Sequence, residues 1–167
     1  YPGTNASIVQ GTQLTNARTT SVHTGSVDNT ELYIGASWKF VSLKYFHSVG
    51  DYFSVPHTSG SGYIDLSANY DLGDGWGING HLGHLNFRNY SNGRSNGDYT
   101  DWKLGVTKDI SGWVFGAAYV GTNAKGSCTP NAAGLTQPYC FGNDAPGATG
   151  TKNAGRDTLI VSVSRTF

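Results

Sequence analysis

The sequence predicts an all-β fold, an antiparallel up-and-down transmembrane β-barrel, on three observations. Segments alternate apolar and polar side chains two by two, which gives each strand one greasy and one wet face. The connections between these segments are alternately short and long. Tryptophan, tyrosine and phenylalanine collect at segment ends on the apolar face, where a bilayer interface would hold them. The composition of the 167-residue chain agrees: 13% of residues are charged, the formal net charge is +0, and there are 24 Gly and 10 Tyr. Such a chain lacks the basic face that nucleic acid requires and the high net charge of a disordered segment. It has no apolar run near the ~20 residues of a spanning helix. Alternating strands need none, because their two faces average to a polar-looking whole, here with a mean hydropathy of −0.35.

In chain order, residues 1–28 are rich in Thr, Ser, Asn and Gly and read as an external loop, with a short hairpin suggested by Ala6-Ser-Ile-Val-Gln10. Barrel strands occupy residues 29–167. In the first, Leu32, Ile34, Ala36, Trp38 and Phe40 oppose Glu31, Tyr33, Gly35, Ser37 and Lys39. After a tight turn near Phe40 and Val41, the apolar side chains of Val41, Leu43 and Tyr45 oppose Ser42, Lys44, Phe46 and Ser48. Gly and Pro56 mark a long loop over residues 50–62. The third strand sets Ile64, Leu66, Ala68, Tyr70 and Leu72 against Asp65, Ser67, Asn69 and Asp71. A turn over residues 71–75 leads into Trp76, Ile78, Gly80 and Leu82, opposite Gly77, Asn79, His81 and Gly83.

A polar loop over residues 86–98 follows. Trp102, Leu104 and Val106 then oppose Asp101, Lys103, Gly105 and Thr107, and a short turn over residues 108–112 leads to Trp113, Phe115, Ala117 and Tyr119, backed by Val114, Gly116, Ala118 and Val120. The long loop 122–156 carries Cys128 and Cys140. A disulfide between them would stabilise by about 3 kcal/mol on the loop-entropy argument and requires an oxidising compartment, hence export. A metal site is the alternative, but no His lies near the pair. The seventh strand, 157–167, sets Leu159, Val161, Val163 and Phe167 against Thr158, Ser162, Ser164 and Thr166. Arg165 stands on its apolar face, where a long stem lets the charge snorkel to headgroups. That strand alone fits the edge of a soluble sandwich equally well; the loop lengths and the aromatics tip the reading to a barrel. They place Trp38, Phe40, Tyr70, Trp76, Trp113 and Phe167 in one aromatic belt at the periplasmic rim, with Trp102, Tyr119 and Tyr63 near the other.

Asn29-Thr-Glu-Leu-Tyr-Ile-Gly-Ala-Ser-Trp-Lys39, Tyr63-Ile-Asp-Leu-Ser-Ala-Asn-Tyr70, Tyr99-Thr-Asp-Trp-Lys-Leu-Gly-Val-Thr-Lys-Asp109, Ala118-Tyr-Val-Gly-Thr122 and Val161-Ser-Val-Ser-Arg-Thr-Phe167 resemble the TorF family of porins from proteobacterial outer membranes. The resemblance spans most of residues 29–125 and 156–167. It implies roughly five earlier strands and a barrel of about twelve, between the eight that side chains fill and the sixteen that leave an open channel. Strand parity leads to the same expectation. With Phe167 at the periplasm, seven reversals leave Glu31 outside, whereas bacterial single-chain barrels have even strand numbers. The chain also contains no Met. Further strands are therefore expected from an N-terminal portion of the same precursor or from another chain; the alternative is an eighth strand from residues 4–28 closing a small, plugged barrel.

Alternation lines the lumen with Glu31, Tyr33, Lys39, Lys44, Asp65, Asn69, Asp71, Asn79, His81, Asp101, Lys103 and Thr107. Four acids and three bases suit either a water-filled conduit or a closed interior held by salt bridges, and the inward glycines are expected to leave room. Gly75-Trp-Gly-Ile-Asn-Gly80 matches a dinucleotide pattern but opens a strand instead of a helix, so no cofactor follows from it. His81 and His84 point to opposite faces and cannot chelate one metal, and no serine stands in a distinctive catalytic setting. The sequence thus predicts no enzyme, no cofactor and no metal, but a porin-like channel in the bacterial outer membrane for passive diffusion of small hydrophilic solutes. The alternative is a non-conducting barrel whose external loops mediate surface binding or self-assembly; a secreted soluble binding module is the weakest reading. The partners expected are membrane lipid, small hydrophilic solutes and, for the self-assembling form, copies of the chain in a homo-oligomer.

Overall fold

The computed structural model describes residues 5–10, 21–26, 28–142 and 150–166. Strands β1 (Asn5–Gln10) and β2 (Ser21–Ser26) pair antiparallel as a hairpin of their own. Six strands then follow in sequence: β3 (Glu31–Trp38), β4 (Val41–Ser48), β5 (Gly62–Gly73), β6 (Trp76–Asn86), β7 (Tyr99–Ile110) and β8 (Trp113–Thr122). A small ribbon of β9 (Cys140–Gly142) and β10 (Thr151–Asn153) lies inside the last long loop. The chain returns as β11 (Thr158–Arg165), which pairs with β8. The main sheet is thus a seven-stranded antiparallel meander in the order β11-β8-β7-β6-β5-β4-β3. It is open: among the described residues β3 and β11 each pair on one side only, and β11 does not pair with the β1–β2 hairpin. No helix among the described residues is long and apolar enough to cross a membrane; a single 3-10 turn spans Tyr52–Ser54.

The turns explain the meander. Asp74-Gly75 and Ser111-Gly112 are two-residue connections in which both residues have positive φ, 50° and 75° in the first and 53° and 83° in the second. This backbone twist matches that of the flanking strands, and Gly adopts it without a Cβ penalty. Lys39, at φ 53°, makes the corresponding turn between β3 and β4. These three short turns stand at one end of the sheet, and the long connections, residues 49–61, 87–98 and 123–157, at the other. Register then sorts the side chains. Partners such as Ile34 and Tyr45, Leu66 and Leu82, or Ala117 and Val161 share the apolar face, while Lys44 and Asp65, Asn69 and Asn79, or Gly116 and Ser162 share the polar one.

No core covers the apolar face among the described residues. Among the described residues the only large hydrophobic that is fully buried is Leu85, whereas Ile34 (75%), Leu104 (63%) and Val161 (76%) stand exposed with their neighbours on all seven strands. A water-soluble sheet of this width would need a second layer over such a face.

Polar loops are instead well knit. Thr58 Oγ1 accepts from the Tyr52 amide (2.8 Å) and donates to the Val55 carbonyl (2.6 Å), and Ser61 Oγ accepts from the Arg88 amide (3.1 Å), which joins loop 49–61 to loop 87–98. Arg94 Nη1 donates to the carbonyls of Thr129 (2.6 Å) and Leu135 (2.8 Å), tying loop 87–98 to loop 123–157. Cys128 and Cys140 form the disulfide the sequence predicts, within that last loop. The β9–β10 ribbon beside it is a feature the sequence does not announce, since three-residue strands show no alternation. Replacing both cysteines by serine is expected to loosen the loop by about 3 kcal/mol of lost entropic constraint. Limited trypsin digestion checks this at Lys125, which should become a fast cleavage site in the variant and remain a slow one in the parent.

Candidate functional site

The polar face of the sheet reads as cross-strand rows, because antiparallel partners stand side by side. Nearest the long loops is an aromatic row, Tyr33, Phe46, Tyr63, Leu85 and Tyr99. The next row holds Gly35, Lys44, Asp65, Gly83, Asp101 and Thr122. Below it come Ser42, Ser67, His81 and Lys103, then Asn69, Asn79 and Gly105, then Asp71, Gly77 and Thr107.

The middle rows converge on His81. Its Nε2 lies 2.8 Å from Asp101 Oδ1 and 3.0 Å from the Tyr63 hydroxyl, which itself donates to Asp101 Oδ2 at 2.9 Å. Its Nδ1 lies 3.2 Å from Ser67 Oγ and 3.4 Å from Asp65 Oδ1, and Ser67 donates to that same Asp65 oxygen at 2.5 Å. Among the described residues, Asp65 and Asp101 are the carboxylates that lie within ion-pair distance of a basic side-chain nitrogen, and both flank this imidazole. Lys103 is its register partner on β7 and Lys44 is the register partner of Asp65, and neither lysine forms a salt bridge among the described residues.

Of the side chains expected in the lumen, Glu31, Tyr33, Lys44, Asp65, Asn69, Asp71, Asn79, His81, Asp101, Lys103 and Thr107 all lie on the polar face. Lys39 does not. It sits in the turn, and its Nζ lies 4.5 Å above the Trp38 ring on the apolar side, because positive φ breaks the alternation there. Tyr63, expected near the upper belt, is corrected in the other direction: it shares the face of Asp65 and closes over His81. Ser67 and Tyr63 are the members of the cluster that the sequence does not single out. Parity would have placed both inward, but only register brings them to His81.

The inward glycines are seats for neighbouring side chains, not open room. A Cβ on Gly83 would collide with the Tyr63 hydroxyl and Asp101, one on Gly105 would meet Asn79 Oδ1 at 2.7 Å, and one on Gly77 would meet Thr107 Oγ1 at 2.7 Å. Asn79 Oδ1 is buried there without a hydrogen-bond partner. Gly83→Ala is therefore expected to cost about 1–3 kcal/mol by overpacking and to break the Tyr63–Asp101 contact; thermal denaturation against a Gly80→Ala control on the opposite face checks it, Gly80 having a backbone oxygen at 3.7 Å as the nearest neighbour. Toward the short turns the polar face opens into a groove of about 520 Å³ bordered by Asn69, Asp71, Asn79, Thr107 and Asp109.

At the same end, on the apolar face, each strand-end tryptophan carries a cation. Lys108 Nζ lies 4.9 Å from the Trp76 ring and the Arg165 guanidinium 5.0 Å from the Trp113 ring, alongside the Lys39 and Trp38 pair. Phe40 and Tyr70 meet edge to face at 5.1 Å beside them. Trp102 and Tyr119 occupy the other end of the same face, Tyr119 donating to Asp157. Phe167 lies outside the described residues. At the long-loop end, aromatic side chains enclose a hollow of about 390 Å³ between the three loops.

Residues 13–167 match the family described as a bacterial protein of unknown function (Gcw_chp), and the chain belongs to that family. No curated protein and no solved structure matches the chain.

Proposed function

We propose that the seven-stranded sheet is part of a porin-like barrel in the bacterial outer membrane that passes small hydrophilic solutes by diffusion. The observation that carries this reading is the banded, uncovered apolar face: aliphatic side chains across the middle of seven strands, with tryptophan, tyrosine and phenylalanine at both ends. A lipid bilayer is the solvent that suits such a face, with indole and phenol rings at the headgroups and cations above the tryptophans reaching lipid phosphate. The TorF resemblance of the strands supports the same reading. In lipid an open sheet edge is untenable, since each unpaired backbone group costs several kcal/mol. The edges β3 and β11 therefore close on further strands, from an N-terminal portion of the precursor or from another chain.

The wall suits charge display better than catalysis. Carboxylates or their hydroxyl partners occupy both nitrogens of His81, and Ser67 lies mid-strand, with its backbone in the ladder and no oxyanion donor to spare. With Lys39 out of the wall, Glu31, Asp65, Asp71 and Asp101 outnumber the lysines of that face among the described residues, Lys44 and Lys103, so the conduit favours cations. The filled glycine seats and the interlocked loops favour a second reading, a non-conducting barrel that binds through its external loops. Conductance of the detergent-extracted protein in a planar bilayer separates the two. Stepwise, cation-selective currents support the channel, and a silent, bilayer-inserted protein supports the second reading. A protein that stays monodisperse in water without detergent removes both.

A further inference from the structure

We propose that the aromatic hollow beneath the three long loops binds organic cations, an ammonium group carried on a small apolar body. The hollow, of about 390 Å³, lies within the roughly 300–1,000 Å³ of small-ligand sites. Tyr52, Phe53, Phe87, Tyr90, Tyr99 and Tyr139 supply its walls. Tyr52 meets Phe53 at 79° and Phe87 at 73°, and Tyr99 meets Tyr139 at 89°, so the rings stand like the sides of a box. Phe87 and Tyr90 stack at 4.4 Å as a further wall. Ring faces carry the negative lobe of the aromatic quadrupole, and a box of them is a cation site once water is excluded.

Charge around the box points the same way. Among the described residues no Lys or Arg lines it. Arg88 and Arg94 direct their guanidinium groups to the carbonyls of Ser59, Thr129 and Leu135, and Lys125 directs its ammonium to Asn96 Oδ1. Asp98 accepts from the Phe87 amide at 2.8 Å and from Asn96 at 2.6 Å, both neutral donors, so its charge stays uncancelled. Burial, then Tyr99 and Glu31, push the Tyr52 phenol up to about 12. Burial, with neighbouring phenols and Asp98, raises Tyr139 as well. Both phenols therefore stay neutral, and the box presents uncharged ring faces with Asp98 beside it. Phe53 stands 42% exposed at the rim, which leaves a way in. That the hollow also lies on a solute's path rests on the channel reading above; the binding itself does not.

Choline and its uncharged isostere 3,3-dimethylbutan-1-ol test the inference by calorimetric titration of the detergent-solubilised protein. Choline is expected to bind at least about tenfold more tightly than the isostere, to lose about tenfold in Tyr52→Leu, and to bind Tyr52→Phe nearly as well as the parent. Should Tyr52→Leu fail to assemble, Phe53→Leu at the rim is expected to weaken choline in the same direction. Equal affinity for the two compounds, no binding of choline, or full binding in the leucine variants overturns the proposal. Conductance measured on the same preparation keeps the two readings apart. Choline binding in a non-conducting protein removes the channel and leaves the cage, and conductance without choline binding does the reverse.

Discussion

Leu104→Arg is expected to abolish stable insertion into lipid vesicles, while Thr107→Arg, three residues along the same strand, inserts nearly as the parent does. Leu104 lies midway along β7 on the apolar face and is 63% exposed; Thr107 lies on the polar face. An arginine at the bilayer midplane on the lipid side of a barrel costs about 2–4 kcal/mol, which is roughly thirty- to a thousandfold in the insertion equilibrium, whereas a lumen-facing substitution tunes only selectivity. In water the order would be reversed, since a charge in place of an exposed leucine is harmless or helpful to solubility. Urea titration of vesicle-inserted protein, read by tryptophan fluorescence, measures the difference. If the two variants unfold at the same urea concentration, the apolar face does not meet lipid and the membrane reading falls. Phe115, with Tyr119 and Trp113 on the adjacent strand, gives a second position where the same sign is expected.

How much of this was legible in the sequence follows from which physical rule set each feature. Two-residue alternation is a property of the extended backbone, so the facing of nearly every strand residue could be read without coordinates. The turns were legible because Asp74-Gly75 and Ser111-Gly112 each end in the Gly that positive φ favours. The same logic misplaces Lys39, because alternation ends where the strand ends and the left-handed turn swings its side chain over Trp38. Tyr63 was misplaced by reading height along the strand before parity. The cluster at His81 was not legible as a cluster, since Tyr63, His81 and Asp101 come from three strands and meet only through their registers. Glycine was the most ambiguous letter. Gly83 and Gly105 look like vacancies in a wall, yet a missing Cβ is also what lets a tyrosine ring or an amide lie flat across the neighbouring strand. The aromatic hollow was hidden for a different reason: its walls come from three loops whose folding depends on hydrogen bonds such as that of Asn92 Nδ2 to the Thr136 carbonyl.

Charge on the wall leads to the second large effect. Replacing Asp65 and Asp101 together by asparagine keeps shape and most hydrogen-bonding capacity but removes the carboxylates at the level of His81, leaving Lys44 and Lys103 unopposed in the middle rows. A unit charge acts on an ion about 5 Å away with ~1 kcal/mol even at the dielectric constant of water. Salt screening reduces this, so losing two charges should change the cation-to-anion permeability ratio on the order of tenfold, toward anions. The reversal potential across a potassium chloride gradient in a planar bilayer reads this directly and should change sign. Tyr63→Phe is the companion variant. It removes the hydroxyl that bridges His81 and Asp101 but leaves every charge in place, so it should alter conductance while the reversal potential stays where it is. A reversal potential that the double asparagine variant fails to move would mean that ions do not pass this wall, and the polar face would then be the sealed interior of a barrel that works only through its loops.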